Sequence, residues 1–290
     1  MIKYKIFSNA KINIGLNVFQ KESDGYHNID SIMVPIDLSD EMDVIFYSEN
    51  GELKIECSDS GIPTDERNIL SKIYKIFFES LKKENEKIDI FLKKNIPSEA
   101  GLGGGSSNAA FFLKLLNEHY GNIYNESELE ELAMKIGSDV PFFIKNKTAR
   151  VRGKGNKVEL IENNLKDSII LIKPLDFGVS TKEAYDSFDN LKEVKYADFD
   201  KIIDSLKKDN RIALENNIEN NLEQGILETN IEVKMFKMTL NSVVSGKKFF
   251  MSGSGSTYYT FVTELEKSQI ETRLKTFVDN VKIIICKTIK

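Results

Sequence analysis

In the stretch KINIGLNVF, Ile12, Ile14, Leu16 and Val18 alternate with Lys11, Asn13, Gly15 and Asn17. A period of two predicts a half-buried strand with its aliphatics on one face. The other face carries a lysine and two asparagines, for which a plain solvent face has no special need. A turn-rich loop around Asp24 and Gly25 follows, then strand-like runs at 30–36, 43–47 and 52–56. Residues 68–84 set Ile69, Ile73, Ile76, Phe77 and Leu81 at the spacing of an amphipathic helix. Strand-like KIDIFLKKN then leads into a glycine-rich stretch. Beyond it, Ala109, Phe112, Leu113 and Leu116 mark one face of a helix beginning near Ser106, and 126–136 reads as another helix, stopped by Gly137.

Past about residue 160 the texture changes. SIILIKPL is a buried strand closed by a proline, and helical patterns dominate from 198 to 240. The tail returns to β-α-β logic, with strands at 247–251 and 257–262, a helix at 264–277 and a last strand at 282–286. No internal repeat or low-complexity linker interrupts the chain. The pattern predicts an α+β protein of two lobes, an N-terminal one over 1–160 and a C-terminal one over 161–290.

Composition narrows the chemistry. A chain of 290 residues, 41% hydrophobic and 29% charged with 5 prolines, is globular rather than disordered. Net charge −5, with lysines such as Lys72, Lys82, Lys83, Lys93 and Lys94 scattered, argues against a nucleic-acid partner. Cys57 and Cys286 form no CxxC pattern, which disfavours a disulfide framework or zinc site and suits a reducing cytoplasm. The start has no signal-peptide core, and no apolar run approaches the ~20 residues that span a bilayer, so no membrane partner is expected. Only His27 and His119 supply imidazole. The chemistry therefore falls to carboxylates, lysines, hydroxyls and backbone amides.

PSEAGLGGGSSNAA, residues 97–110, is where those amides concentrate. Glycine- and serine-rich segments are often flexible connectors, but this one is short and tied at both ends to periodic elements. Glycines before a helix start let a ligand approach the helix's unpaired amides and its dipole, which makes a phosphate site. A tight structural turn is the alternative, with Ser106 or Ser107 simply capping the helix. No lysine follows the glycines as a Walker A loop requires, and a dinucleotide fingerprint fits loosely. SGSGST at 252–257 is a second glycine-serine turn, and a plain strand-to-strand turn would look the same.

The 97–110 stretch resembles the phosphate-binding motif of the GHMP small-molecule kinases, those of galactose, homoserine, mevalonate and phosphomevalonate. AKINIGLNV, DGYHNIDSIMVPIDL, RNIL, GSDVPFF and MSGSGST agree in order along nearly the whole chain. DGYH and GLGGGSSNAA are similar to the branch whose acceptor is a cytidine diphosphate methylerythritol. The resemblance implies a two-lobed GHMP-kinase-like α+β fold, with an N-terminal nucleotide-binding lobe, a C-terminal α/β sandwich lobe and the active site between them. It implies ATP and Mg²⁺, a small-molecule substrate, and phosphorylation of that substrate's 2-hydroxyl. A monomer or weak homodimer is expected.

Residue by residue, the resemblance assigns the phosphate cradle to Pro97, Ser98, Glu99, Ala100, Gly101, Leu102, Gly103, Gly104, Gly105, Ser106 and Ser107, with the Ser107 hydroxyl helping to hold Mg²⁺. Asn68 and Ile69 are expected near the adenine or ribose. Asp139, between a helix end and an apolar VPFF run, becomes the group that takes the acceptor's proton, with Lys11 as its cationic partner. A lysine within about 4–6 Å would keep such a carboxylate ionised at neutral pH. Tyr26 and His27 would recognise the cytidine, with Asn13 on the diol or cytosine edge. Tyr185, in a loop after the second lobe's first strand, would stack from the opposite side. The rivals are the same fold acting on homoserine or mevalonate, and a catalytically silent nucleotide-binding protein.

Overall fold

A computed structural model describes residues 1–289. The chain divides into two compact units made of alternating segments. The first unit holds Met1–Ala10, Leu38–Pro97 and Gly103–Asn146; the second holds Lys11–Asp37, Ser98–Leu102 and the chain from Lys147 onward. Two long strands, β1 (Ile2–Lys21) and β2 (His27–Asn50), pair with each other and each contributes to both units.

In the first unit, the second half of β2 runs antiparallel to β4 (Glu86–Lys93), with Val44 opposite Ile90, and β3 (Leu53–Cys57) joins β4 in parallel. Helices α1 (Ile69–Leu81), α2 (Gly104–His119), α3 (Glu126–Met134) and α4 (Val140–Lys145) complete it. Ile73, Phe77 and Phe78 of α1 and Phe112, Leu113 and Leu116 of α2 are buried, as the helical spacing requires. His119 is part of this core: its ring stacks on Phe46 at 3.8 Å between centroids.

In the second unit, the first half of β2 pairs with β5 (Ala149–Gly153), which pairs with β6 (Lys157–Leu160). A separate antiparallel sheet has the order β10-β7-β9-β8, from β7 (Ser168–Pro174), β8 (Phe250–Met251), β9 (Tyr258–Val262) and β10 (Val281–Cys286). Both β9 and β10 are antiparallel to β7, so they run parallel to each other, joined by α10 (Glu264–Phe277) as a split β-α-β unit. Helices α5 (Thr181–Asp189), α6 (Phe199–Lys207), α7 (Arg211–Glu215), α8 (Asn221–Thr229) and α9 (Ile231–Val243) fill the rest. Helices α5 and α8 approach so closely that a Cβ on Gly225 would stand 2.6 Å from the Phe188 nitrogen.

Three differences from the sequence expectation have physical causes. The runs at 30–36 and 43–47 belong to one strand, because Pro35 falls between the segment paired to β5 and the segment paired to β4, and its missing N–H costs neither ladder a bond. Residues 8–18 of β1 are buried on both faces, since Lys11, Asn13 and Asn17 find partners inside the protein; Asn17, for instance, bonds both the N–H and the carbonyl of Ala197. The charged β5, the short β6 and the six-residue α4 carry too little periodic signal to be read from pattern.

Candidate active site

In the first unit the glycine run ends at the start of α2. Gly103 is its N-cap, in the left-handed conformation at φ 71° and without a side-chain cap bond. The helix therefore begins two residues before Ser106, and neither serine caps it. Ser107 is fully buried, and its hydroxyl donates to the Asn9 carbonyl at 2.6 Å. A Cβ on Gly104 would press Ile96 at 3.0 Å, whereas one on Gly105 would meet nothing within 4 Å. Packing thus explains the missing side chain at Gly104 but not at Gly105. What remains for Gly105 is open space over uncapped first-turn amides, a cradle for an anion.

Asp139 occupies the N-cap position of α4 but makes no side-chain cap bond there. It is half-buried, and Val140, Pro141, Phe142 and Phe143 beyond it are all buried. Asn68 caps α1: its side chain accepts from Leu70 N at 2.9 Å and donates to the Pro63 carbonyl at 2.6 Å. Ile69 opens that helix half-buried.

In the second unit Lys11 is 3% exposed, and its ammonium donates to Asn13 Oδ1 and, at 3.0 Å, to the Gly101 carbonyl. Ser252 Oγ donates to that same carbonyl at 3.0 Å and accepts from the Asn13 N–H at 3.3 Å. Asn13 is held on every side, its amide donating to Ser31 Oγ and its carbonyl accepting from the Tyr259 hydroxyl. The turn at 252–256 closes on this cluster. A Cβ on Gly101 would fall 1.9 Å from the Ser252 carbonyl oxygen, and one on Gly253 would crowd Asn13, Gly101 and Lys11. The two glycine-serine stretches that are separate in sequence are therefore packed backbone to backbone around a buried ammonium.

Further along β2, the His27 side chain is 5% exposed, with Nδ1 2.7 Å from the Phe19 carbonyl and Nε2 3.4 Å from Asp189. Its ring lies 5.0 Å from that of Tyr185, which sits on helix α5 rather than in a loop. Tyr26 is 64% exposed, with the Lys154 ammonium 5.5 Å above its ring. An exposed ring next in the chain to a buried histidine, itself against a half-buried tyrosine, suits a planar aromatic ligand.

Of these glycines, packing accounts for Gly101 and Gly104, and the open space at Gly105 beside the left-handed Gly103 is what fits an anion. For a divalent cation, no group of three or more His, Cys, Asp or Glu side chains stands together among the described residues.

Pattern reading marked the 252–257 turn that contains Ser256 but not Lys173. Lys173 is 8% exposed, donates to Ser256 Oγ at 2.6 Å, and is held below the usual lysine range by burial, which Glu99 opposes. A lysine at the end of the otherwise apolar SIILIKP strand was the signal available.

The GHMP kinases N terminal domain matches residues 68–147. The chain is 88% identical over 287 residues, 99% of its length and 98% of the relative's, to the 4-diphosphocytidyl-2-C-methyl-D-erythritol kinase of Fusobacterium nucleatum subsp. nucleatum. It is 38% identical to the enzyme of the same name from Clostridium beijerinckii, covering 92% of this chain and 93% of that one. A crystal structure of 4-(cytidine 5'-diphospho)-2C-methyl-D-erythritol kinase superposes with TM-score 0.78 at 24% identity, covering 98% and 99% of the two chains. Homoserine kinase from Cytophaga hutchinsonii gives TM-score 0.72 at 18% identity, with 99% and 97% covered. No helix among the described residues is long and apolar enough to cross a membrane.

Proposed function

The chain belongs to the 4-diphosphocytidyl-2-C-methyl-D-erythritol kinases of the GHMP family, and from that premise we propose how its residues share the transfer of a phosphoryl group from ATP to the 2-hydroxyl of that cytidine diphosphate alcohol. The observation that carries the reading is the cradle at 101–105, where packing accounts for Gly101 and Gly104 and leaves Gly105 facing open space.

The amides around Gly103, Gly104 and Gly105 bind phosphate oxygens, drawn by unpaired N–H groups and the positive end of α2. Mg²⁺, when bound, would offset phosphate charge; Ser107, the hydroxyl expected to serve it, is fully buried and donates to the Asn9 carbonyl, so it would have to exchange that bond to do so. Lys11, fixed by Asn13 and Gly101, holds positive charge where the transferred group gains negative charge. Asp139 receives the proton of the acceptor hydroxyl. A carboxylic acid is a far stronger acid than an alcohol, so the proton moves late, as the oxygen–phosphorus bond forms.

Tyr26, His27 and Tyr185 read the base of the acceptor, Tyr26 by stacking from its exposed position. Asn13 serves chiefly through Lys11, since both ends of its side-chain amide are already engaged. Asn68 orders the start of α1, and Ile69 offers the nucleotide an apolar edge.

ATP consumption by the purified protein on a panel of alcohols tests the reading. Turnover on 4-diphosphocytidyl-2-C-methyl-D-erythritol and little on homoserine or mevalonate is the expected result. Efficient use of either small alcohol with none of the cytidine substrate would overturn it.

A further inference from the structure

Lys173 lies at the end of β7. Alternation along the strand sends Ile170 and Ile172 into the apolar core of the second unit and leaves Lys173 on the opposite face. Its pairing partner across β10 is Lys282. One hydroxyl, Ser256 Oγ, satisfies one of the three N–H donors of its ammonium. Among the described residues no ion pair holds it. A lysine only 8% exposed as a residue, with one hydroxyl beside its ammonium, is costly to bury unless something else completes the charge.

Two features indicate what completes it. Ser256 belongs to the same glycine-serine turn whose Ser252 grips Gly101, so the ammonium borders the phosphate-loop packing of its own unit. Glu99, exposed and in the left-handed conformation at φ 48°, projects from that loop and raises the proton affinity of Lys173 through space. A Cβ on Gly178 would meet only Glu99 Oε2, at 3.7 Å, so there is room beside that carboxylate. A strained, exposed acid near an under-compensated ammonium makes a replaceable counter-charge.

We propose that Lys173 is a second anion-binding cation of the site, whose ammonium takes a phosphate oxygen entering beside the turn at 252–256, with Glu99 as the carboxylate that balances it until then. The inference rests on the kinase reading only for the source of the phosphate, which is either the nucleotide or the diphosphate of the acceptor.

Calorimetry with inorganic pyrophosphate tests the binding without reference to the reaction. Lys173→Met should weaken pyrophosphate by about 10-fold or more, the worth of a charge-assisted hydrogen bond, and Lys173→Arg should recover most of it. Glu99→Gln, an exposed change that cannot unfold the core, should tighten pyrophosphate by about threefold through lost repulsion and a freed Lys173; it remains readable if Lys173→Met fails to fold. In steady state, a raised KM for ATP alone assigns the phosphate to the nucleotide, and a raised KM for the cytidine substrate alone assigns it to the acceptor. Wild-type pyrophosphate affinity in Lys173→Met, with only a lowered Tm, would reduce Lys173 to a pin for Ser256 and overturn the proposal, as would unchanged affinity in Glu99→Gln. Failure of the kinase reading looks different: wild type ignores the cytidine substrate while the pyrophosphate difference persists.

Discussion

Both units tuck lysine side chains away from water, one in the first and two in the second, and the units complete them in different ways. In the first, the Lys94 side chain is 8% exposed and meets the fully buried Asp40 carboxylate. Asp40 also accepts from the Asn95 and Ile96 amides and from Asn108, so every charge in the cluster is matched and hydrogen-bonded. In the second, Lys173 rests on a serine hydroxyl, and Lys11 donates to a neutral amide oxygen and a carbonyl. A carboxylate completes the electrostatics of a buried ammonium and makes it a structural part. For Lys173 a neutral hydroxyl fixes the ammonium and leaves its charge to be met by a ligand. The same residue type is thus neutralised by a carboxylate in one unit and seated on neutral oxygens in the other.

Lys94→Met offers the largest effect and tests the scaffold half. It leaves Asp40 buried with no cation, a loss of about 3–5 kcal/mol for a broken buried pair. A sharply lowered Tm with near-normal turnover per folded molecule is expected; a normal Tm would break the comparison. Lys11→Met tests the other half and should reverse the signature, with kcat down at least ~10²-fold and Tm little changed. Asp139→Asn should match it in kcat while nucleotide binding holds, because Asn keeps the size but accepts no proton. Turnover within a few-fold of wild type would remove Asp139 from the reaction.

Smaller effects sharpen the boundary between packing and ligand contact. Tyr26→Ala should raise KM for the cytidine substrate roughly 5- to 150-fold, the loss of about 1–3 kcal/mol of stacking, with ATP affinity barely moved. Tyr26→Phe should cost far less, since the ring carries the stacking. Gly105→Ala should leave Tm within about 1 kcal/mol of wild type in equivalent stability, because its methyl meets nothing, yet weaken ATP binding several-fold. Unchanged ATP affinity there would return the cradle to a turn.

Periodicity and motif order carried much of this protein. Repeating apolar positions require a buried face, and that demand is local enough to read: it placed α1, α2, α3, the buried β7 and the final β-α-β passage within a few residues. Motifs likewise marked where chemistry concentrates, because positive φ and bare helix amides leave glycine and serine few substitutes. Which polar residues do structural work was not legible. Asn68 caps a helix, Asn13 clamps Lys11, His119 stacks in a core and Ser107 bonds a distant carbonyl, and nothing in their neighbours along the chain distinguishes these fates. The interleaving of the two units and the seating of Gly101 against Ser252 were likewise decided in three dimensions. A buried polar group is defined by what faces it, and for Lys94 that is a carboxylate 54 residues away, for Lys173 a hydroxyl 83 residues away. Local sequence sets which groups must be buried; only the tertiary fold chooses their partners, and with them which charges are left over for function.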